Sequence, residues 1–174
     1  MILTGLEIKK NIENGNIHIS PFDESFLSTN SYDYRIDTKL IELLDVPVDP
    51  KKSSRQREVN FSEEGYVLSP NKTYLANTYE EIGSDVFVPS LIGKSSLGRL
   101  GLFLQITADL GNLGAKHRWT LELKAIQPVK IYPMMVIGQV TFWKTFGDTD
   151  MKYKGKYDKF SEAKSSEIYK EFIK

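Results

Sequence analysis

From residue 31 onward the chain is a series of short apolar–polar alternations broken by Gly, Pro and Asn, and this punctuation constrains its fold more than any other feature. A period of two puts alternate side chains on opposite faces of an extended strand. Residues 31–36 (SYDYRI) alternate in this way, and residues 66–68 (YVL) run into the Ser69-Pro70-Asn71 turn. Residues 85–91, 102–107, 119–126 and 136–143 are further β-rich runs. Short strands, close turn signals and few helical windows predict an all-β barrel or sandwich. One helix is expected at the start, where Thr4 can cap, Glu7 follows three residues on as in a capping box, and Leu6, Ile8 and Ile12 form a partial apolar stripe. Gly15 is its expected stop, and residues 16–20 read as a strand ended by Pro21. Residues 45–60, polar and Pro-interrupted, read as a surface loop.

The 174 residues fit one domain, 1–174. Twenty-three basic and 23 acidic side chains cancel, so no chain-wide basic footprint for nucleic acid exists. Without cysteine there is no disulfide, thiolate nucleophile or Cys-containing zinc site, and His18 and His117 alone cannot make a three-histidine metal centre. No run approaches the roughly 18 apolar residues of a spanning helix. The expectation is a soluble, cytoplasmic protein with no membrane partner.

Three segments can carry chemistry. Gly93-Lys94-Ser95-Ser96-Leu97-Gly98-Arg99-Leu100-Gly101 gathers hydroxyls, cations and glycines in a turn that suits an anion such as phosphate, or is simply a polar turn. It lacks the Walker A spacing. Residues 107–122 read as a hairpin, with Trp119, Leu121 and Leu123 on one strand face and Thr120 and Glu122 on the other. By pattern alone Glu122 is a solvent-facing strand glutamate. Residues 133–140 read as a turn feeding a plain buried strand, the alternative being that Gly138 and Gln139, which break the apolar run, mark a close backbone approach. His117 and Arg118 read as an exposed polar hairpin tip, with contact to phosphate the alternative, and Trp119 and Trp143 as core. The tail at 147–174 is charge-dense: either a solvated end with a short helix near 166–173, or a segment that orders over a ligand.

In order and spacing these segments resemble the dCTP deaminases, of the superfamily that also holds the trimeric dUTPases. The resemblance runs from Met1-Ile2-Leu3 through Pro21-Phe22 and Ser31-Tyr32-Asp33 to the Gly-Arg-Ser-Ser-Leu-x-Arg motif, here Gly93 to Arg99 with Lys94 in second place. It continues through Thr107-Ala108 and Leu121-Glu122 at the family's spacing, a Pro-x-Met-x-Ile-Gly-Gln-like strand, and Gly155-Lys156-Tyr157 in the tail. It implies a mainly β fold: a distorted dUTPase-like β-barrel (β-clip) with a short N-terminal helix and a C-terminal lid. It implies a homotrimer with sites at subunit interfaces, and metal-free hydrolytic deamination of dCTP to dUTP and ammonia. Glu122 would be the general base, Arg99 would hold its carboxylate, and Ser95 would position water and substrate. Lys94, Ser95, Ser96 and Arg99 would line the triphosphate and catalytic end, with Ala108, Asn112, Thr120 and Leu121 also at the substrate. Lys156 and Tyr157 would fold over the nucleotide, and Mg2+ would arrive with the triphosphate. A zinc deaminase needs an H-x-E and P-C-x-x-C set that this sequence lacks.

The hairpin departs from the family pattern Ile-Asp-x-Gly-(Trp/Phe)-x-Gly, reading Gly111-Asn112-Leu113-Gly114-Ala115-Lys116-His117. Asn112 can bond a 3′-hydroxyl but cannot act as a base, so hydrolysis of the triphosphate to dUMP is expected to be weak or absent. Asp109, Phe160 and Ala163-Lys164-Ser165-Ser166 are further departures. The alternatives are a bifunctional enzyme giving dUMP and a non-catalytic nucleotide-binding protein on the same barrel. An active enzyme needs Glu122 and Arg99 at one water in a nucleotide-sized pocket.

Overall fold

A computed structural model describes residues 1–105, 107–153, 155 and 162–173. The expected helix forms as α1 (Gly5–Glu13), with Thr4 Oγ1 accepting the Glu7 N–H at 3.4 Å. Gly15 follows with φ of 74°, in the left-handed region glycine enters without strain, and turns the chain into β1 (Ile17–Ser20).

The rest is mainly strand: β2 (Tyr32–Leu43), β3 (Gln56–Asn60), β4 (Tyr66–Leu68), β5 (Thr73–Ser84), β6 (Phe87–Gly93), β7 (Leu102–Leu104), β8 (Lys116–Ala125), β9 (Val129–Ile131) and β10 (Val136–Lys144). A single short helical turn, α2 (Ser95–Gly98), separates β6 from β7. One eight-stranded sheet runs β6-β10-β2-β5-β8-β7, with β1 added on β5 and β3 on β2; β4 and β9 pair separately. It curls into a distorted, barrel-like β fold. Its core is made by the inward residues of the alternating strands: Tyr32, Tyr34 and Ile36 from β2, Leu121 and Leu123 from β8, and Val140 and Phe142 from β10. Each such side chain taken fully from water contributes about 1.5–3 kcal/mol.

Two expectations are corrected. Residues 56–60 are not loop but the edge strand β3, paired to β2 through Leu40↔Val59 and its neighbours. Its polar sequence reflects one edge and one face turned to water. Trp143 is 42% exposed rather than core. At the C-terminus a short 3-10 turn forms at Ile168–Glu171.

Two features shape the sheet near the cleft. Gly138 carries no side chain because Tyr34 lies where one would be: an added Cβ would overlap its hydroxyl and the Ile92 carbonyl. Tyr34 Oη donates to that carbonyl at 3.1 Å, and burial pushes the phenol well above its usual pKa. The β5–β8 ladder also shifts register between Asn77 and Glu81. There Thr78 Oγ1 accepts the Trp119 N–H at 2.9 Å, and the fully buried Glu80 takes the Arg35 Nε at 2.7 Å and the Arg35 N–H at 2.9 Å.

Candidate active site

A cleft of about 470 Å³ opens over β8, β5 and the loop that joins β7 to β8. β8 supplies Thr120 and Glu122, two apart and on one face as the alternation requires, while Leu121 is buried between them in the core. Leu121 can therefore meet a ligand only through its backbone. Across the ladder, β5 adds Leu75, the register partner of Glu122, together with Thr73.

The connecting loop supplies Gln105, Ala108 and Asn112. Gln105 is 8% exposed and adopts φ of 46°, a costly conformation for a residue with a Cβ. It clamps β8 at the glutamate and two residues before it: its N–H donates to the Glu122 carbonyl at 3.1 Å and its Nε2 to the Thr120 carbonyl at 2.9 Å. Its buried Oε1 has no hydrogen-bond partner among the described residues. Further along, the Asp109 carbonyl accepts the Leu91 N–H at 2.8 Å and the Gly111 N–H reaches the Pro89 carbonyl at 2.7 Å. The loop is thereby tied to the edge of β6.

His117 and Arg118 are not a hairpin tip. They lie within β8 and line the cleft. The His117 ring stacks on Trp119 at 4.4 Å, and the Trp119 indole donates to the Ile82 carbonyl at 2.8 Å, which fixes an aromatic wall. Arg118 pairs with Asp37 at 2.9 Å, its guanidinium over the Tyr79 ring. The tail closes one side: Lys164 N–H donates to Thr120 Oγ1 at 3.4 Å, and Tyr153 N–H to the Leu113 carbonyl at 3.1 Å. Tyr153, Lys164 and Ser166 all border the cleft. Sequence reading missed Gln105, Trp119 and Tyr153 as cleft residues; only the loop's Gly and Asn content hinted that the backbone there is specialised.

Of the residues expected at the site, Ala108, Asn112, Thr120 and Glu122 are brought together. Ser95, Ser96 and Arg99 are not. They sit exposed on and just after α2, outside this cleft. Arg99 makes no side-chain hydrogen bond among the described residues, and Glu122 makes none either. Lys94 is held by Asp33 through a hydrogen-bonded ion pair rather than aimed at the cleft. Lys156 and Tyr157 lie outside the described residues. Among the described residues no three His, Asp or Glu side chains cluster as metal ligands, and no helix is long and apolar enough to cross a membrane.

Fold and cleft together define a β-barrel protein with a cleft of small-molecule size lined by one carboxylate, since Glu122 is the sole acid among the described lining residues. Comparison with known proteins narrows that class. A model of the dCTP deaminase-like family matches residues 2–145, and the chain belongs to that family. It is 39% identical to "dCTP deaminase, dUMP-forming" of Clostridium beijerinckii over 174 residues, covering all of both chains. It is 38% identical to the protein of the same description in Hathewaya histolytica, over 99% of each. It is 39% identical to "dCTP deaminase" of Rhodopirellula baltica over 98% of this chain and 86% of that one. The fold is also that of a 2'-deoxycytidine 5'-triphosphate deaminase from Agrobacterium tumefaciens, with a TM-score of 0.64 and 21% identity over 81% of this chain and 47% of the other.

Proposed function

We propose that this protein deaminates dCTP hydrolytically and carries the product on to dUMP, with Glu122 as the base of the first step. The carrying observation is the placement of one carboxylate, Glu122, in a small-molecule cleft beside Thr120, Asn112 and Ala108. Glu122 takes a proton from water as the oxygen adds to C4 of the cytosine ring. That proton passes to the 4-amino nitrogen, the C4–N4 bond breaks, and ammonia leaves. Asn112 bonds the 3′-hydroxyl, while Thr120 and the backbone of Leu121 border the pyrimidine. Mg2+ enters as part of the triphosphate substrate.

The end product is where the expectation from sequence changes. Asn112 suggested that the reaction stops at dUTP, but relatives at 38–39% identity along the full chain are described as dUMP-forming. Those descriptions favour the two-step course. The second step adds water at the α-phosphorus and expels pyrophosphate. An amide at position 112 cannot accept that water's proton, so in our reading this step is the slower one and dUTP builds up before dUMP.

A second copy completes the site. Ser95 and Ser96 are exposed on α2, Arg99 is exposed just after it and Glu122 is exposed in the cleft, so a homotrimer in which α2 of one chain meets the cleft of the next unites hydroxyls, guanidinium and carboxylate. There Arg99 orients the carboxylate and Ser95 the water. The protein acts in the cytoplasm on the free nucleotide pool.

The test is incubation with dCTP and Mg2+, with products separated by chromatography beside Glu122→Gln. Formation of dUTP and then dUMP by wild type, and of neither by the variant, is the expected result. No turnover of any cytosine nucleotide by wild type would leave a binding protein instead.

A further inference from the structure

His117 lies in β8 on the cleft wall, half-buried, and the deamination makes no use of it. Its Nδ1 is 2.8 Å from the Arg118 carbonyl oxygen. A carbonyl only accepts, so Nδ1 carries the hydrogen, and Nε2 of the neutral ring is left as the acceptor. Nε2 has no hydrogen-bond partner among the described residues. Stacking on Trp119, with ring centroids 4.4 Å apart, holds the plane of the imidazole. The edge of the same indole sits against Gly111, where an added Cβ would be 2.7 Å from Trp119 Cη2. One indole therefore supports both His117 and the residue before Asn112.

The second step needs a proton acceptor at the sugar and phosphate end of the cleft, where the Asn112 amide cannot serve. Gln105 is an amide as well, and the Tyr153, Thr120 and Ser166 hydroxyls are poor bases. Arg118 and Lys164 are cations with no lone pair to offer, each 2.9 Å from a carboxylate, of Asp37 and Glu167. Two proton acceptors remain among the described lining residues, Glu122 and His117. Glu122 is committed to C4 of the ring and stands five residues further along β8, about 16 Å of backbone at the usual strand rise. That separation, with two side chains reaching inward, suits the base and the α-phosphate of one nucleotide. Imidazole also exchanges a proton near neutral pH, as a general base must.

We propose, on the two-step reading above, that His117 is the general base of dUTP hydrolysis, taking through Nε2 the proton that Asn112 cannot accept. Water adds through its oxygen to the α-phosphorus as its proton passes to Nε2. The bond from that phosphorus to the bridging oxygen breaks, the electron pair leaves with pyrophosphate, and dUMP remains. The Arg118 carbonyl, still bonded to Nδ1–H, steadies the imidazolium, which then returns its proton to solvent.

The experiment gives wild type, His117→Gln and His117→Phe either dUTP or dCTP, each with Mg2+, and follows dUMP, pyrophosphate and ammonia in quenched time courses. Deamination in the same preparation reports on folding, and the phenylalanine variant keeps a ring on Trp119 should the glutamine variant fail to fold. The expected result is a kcat for dUTP hydrolysis that falls about tenfold or more beyond any fall in deamination, so that dCTP is converted to dUTP and accumulates there. A smaller difference, the mark of a ring that only shapes the cleft, overturns the inference, and so does a loss confined to KM. Wild type that deaminates dCTP but releases no pyrophosphate removes the two-step reading together with this one. Pyrophosphate released equally by wild type and both variants removes the role of His117 alone.

Discussion

Glu122 lines the cleft on β8 while Arg99 stands exposed beyond α2, so a single chain does not bring the base and its expected guanidinium together. The two residues belong to elements joined through β7, whose Leu102 and Leu104 pair with Ala125 and Leu123 of β8. That pairing fixes α2 at the end of β8 and leaves both functional groups presented outward.

Subunit complementation follows from this separation. Glu122→Gln and Arg99→Ala proteins are each expected to be inactive, yet co-refolding them restores activity. In a cyclic trimer each mixed assembly regains one intact site, so an equal mixture recovers roughly a quarter of wild-type turnover. Zero recovery, with mixed trimers verified by mass spectrometry, would mean that both groups must come from the same chain.

In the proposed reaction, Asn112 limits the second chemical step. Replacing it with Asp supplies a base next to the sugar and phosphates, and general-base assistance is commonly worth about 10²–10⁴ in rate. Quenched time courses of Asn112→Asp should show the transient dUTP shrinking and dUMP rising about tenfold faster or more. An unchanged dUTP transient would place the limiting group elsewhere.

Chelation separates the two roles a metal can play. A zinc-selective chelator should leave deamination untouched, because no cysteine-based zinc set exists in the sequence. Excess EDTA should raise KM for dCTP by stripping Mg2+ from the triphosphate. Inactivation by the zinc chelator, reversed by added zinc, would contradict a carboxylate-activated water.

Acid stability depends on Glu42, which is buried and accepts hydrogen bonds from Lys72 and Arg57. These bonds, that from Lys72 foremost, hold its pKa below the usual glutamate value. A pKa lowered in the folded state contributes stability above the unfolded value of about 4.3 and loses it as pH falls through the lower native value. Melting temperatures measured from pH 7 to pH 3 should therefore drop on the acid side of about 4.3. Glu42→Gln should lower Tm at pH 7 by roughly 2–6 °C and flatten that acid limb.

Gly138→Ala tests the close approach to Tyr34. The added methyl overlaps the phenol and the Ile92 carbonyl, both fixed in the sheet, and such overpacking costs about 1–3 kcal/mol. Denaturant melts should show that loss. A variant as stable as wild type would mean that Tyr34 can leave its place at no cost.

The local code of the chain determined the elements whose stability is local. Thr4 and Glu7 mark the start of α1, the alternation at 31–36 buries Tyr32, Tyr34 and Ile36, and the same period places Thr120 and Glu122 on one face with Leu121 behind them. Motif order also carried the family, to which the chain belongs. What a residue meets far along the chain was settled only by tertiary structure. β5 carries no alternation because Asn77, Thr78 and Glu80 are buried in it, and Glu80 is acceptable there only because Arg35, 45 residues away, meets its charge. Residues 56–60 become a strand only because β2 offers them an edge. Lys94 looked like a free cation until Asp33, 61 residues earlier in the chain, was folded against it. Backbone period and caps depend on neighbours a few residues apart, whereas the partner of a buried charge depends on which strands the sheet places side by side.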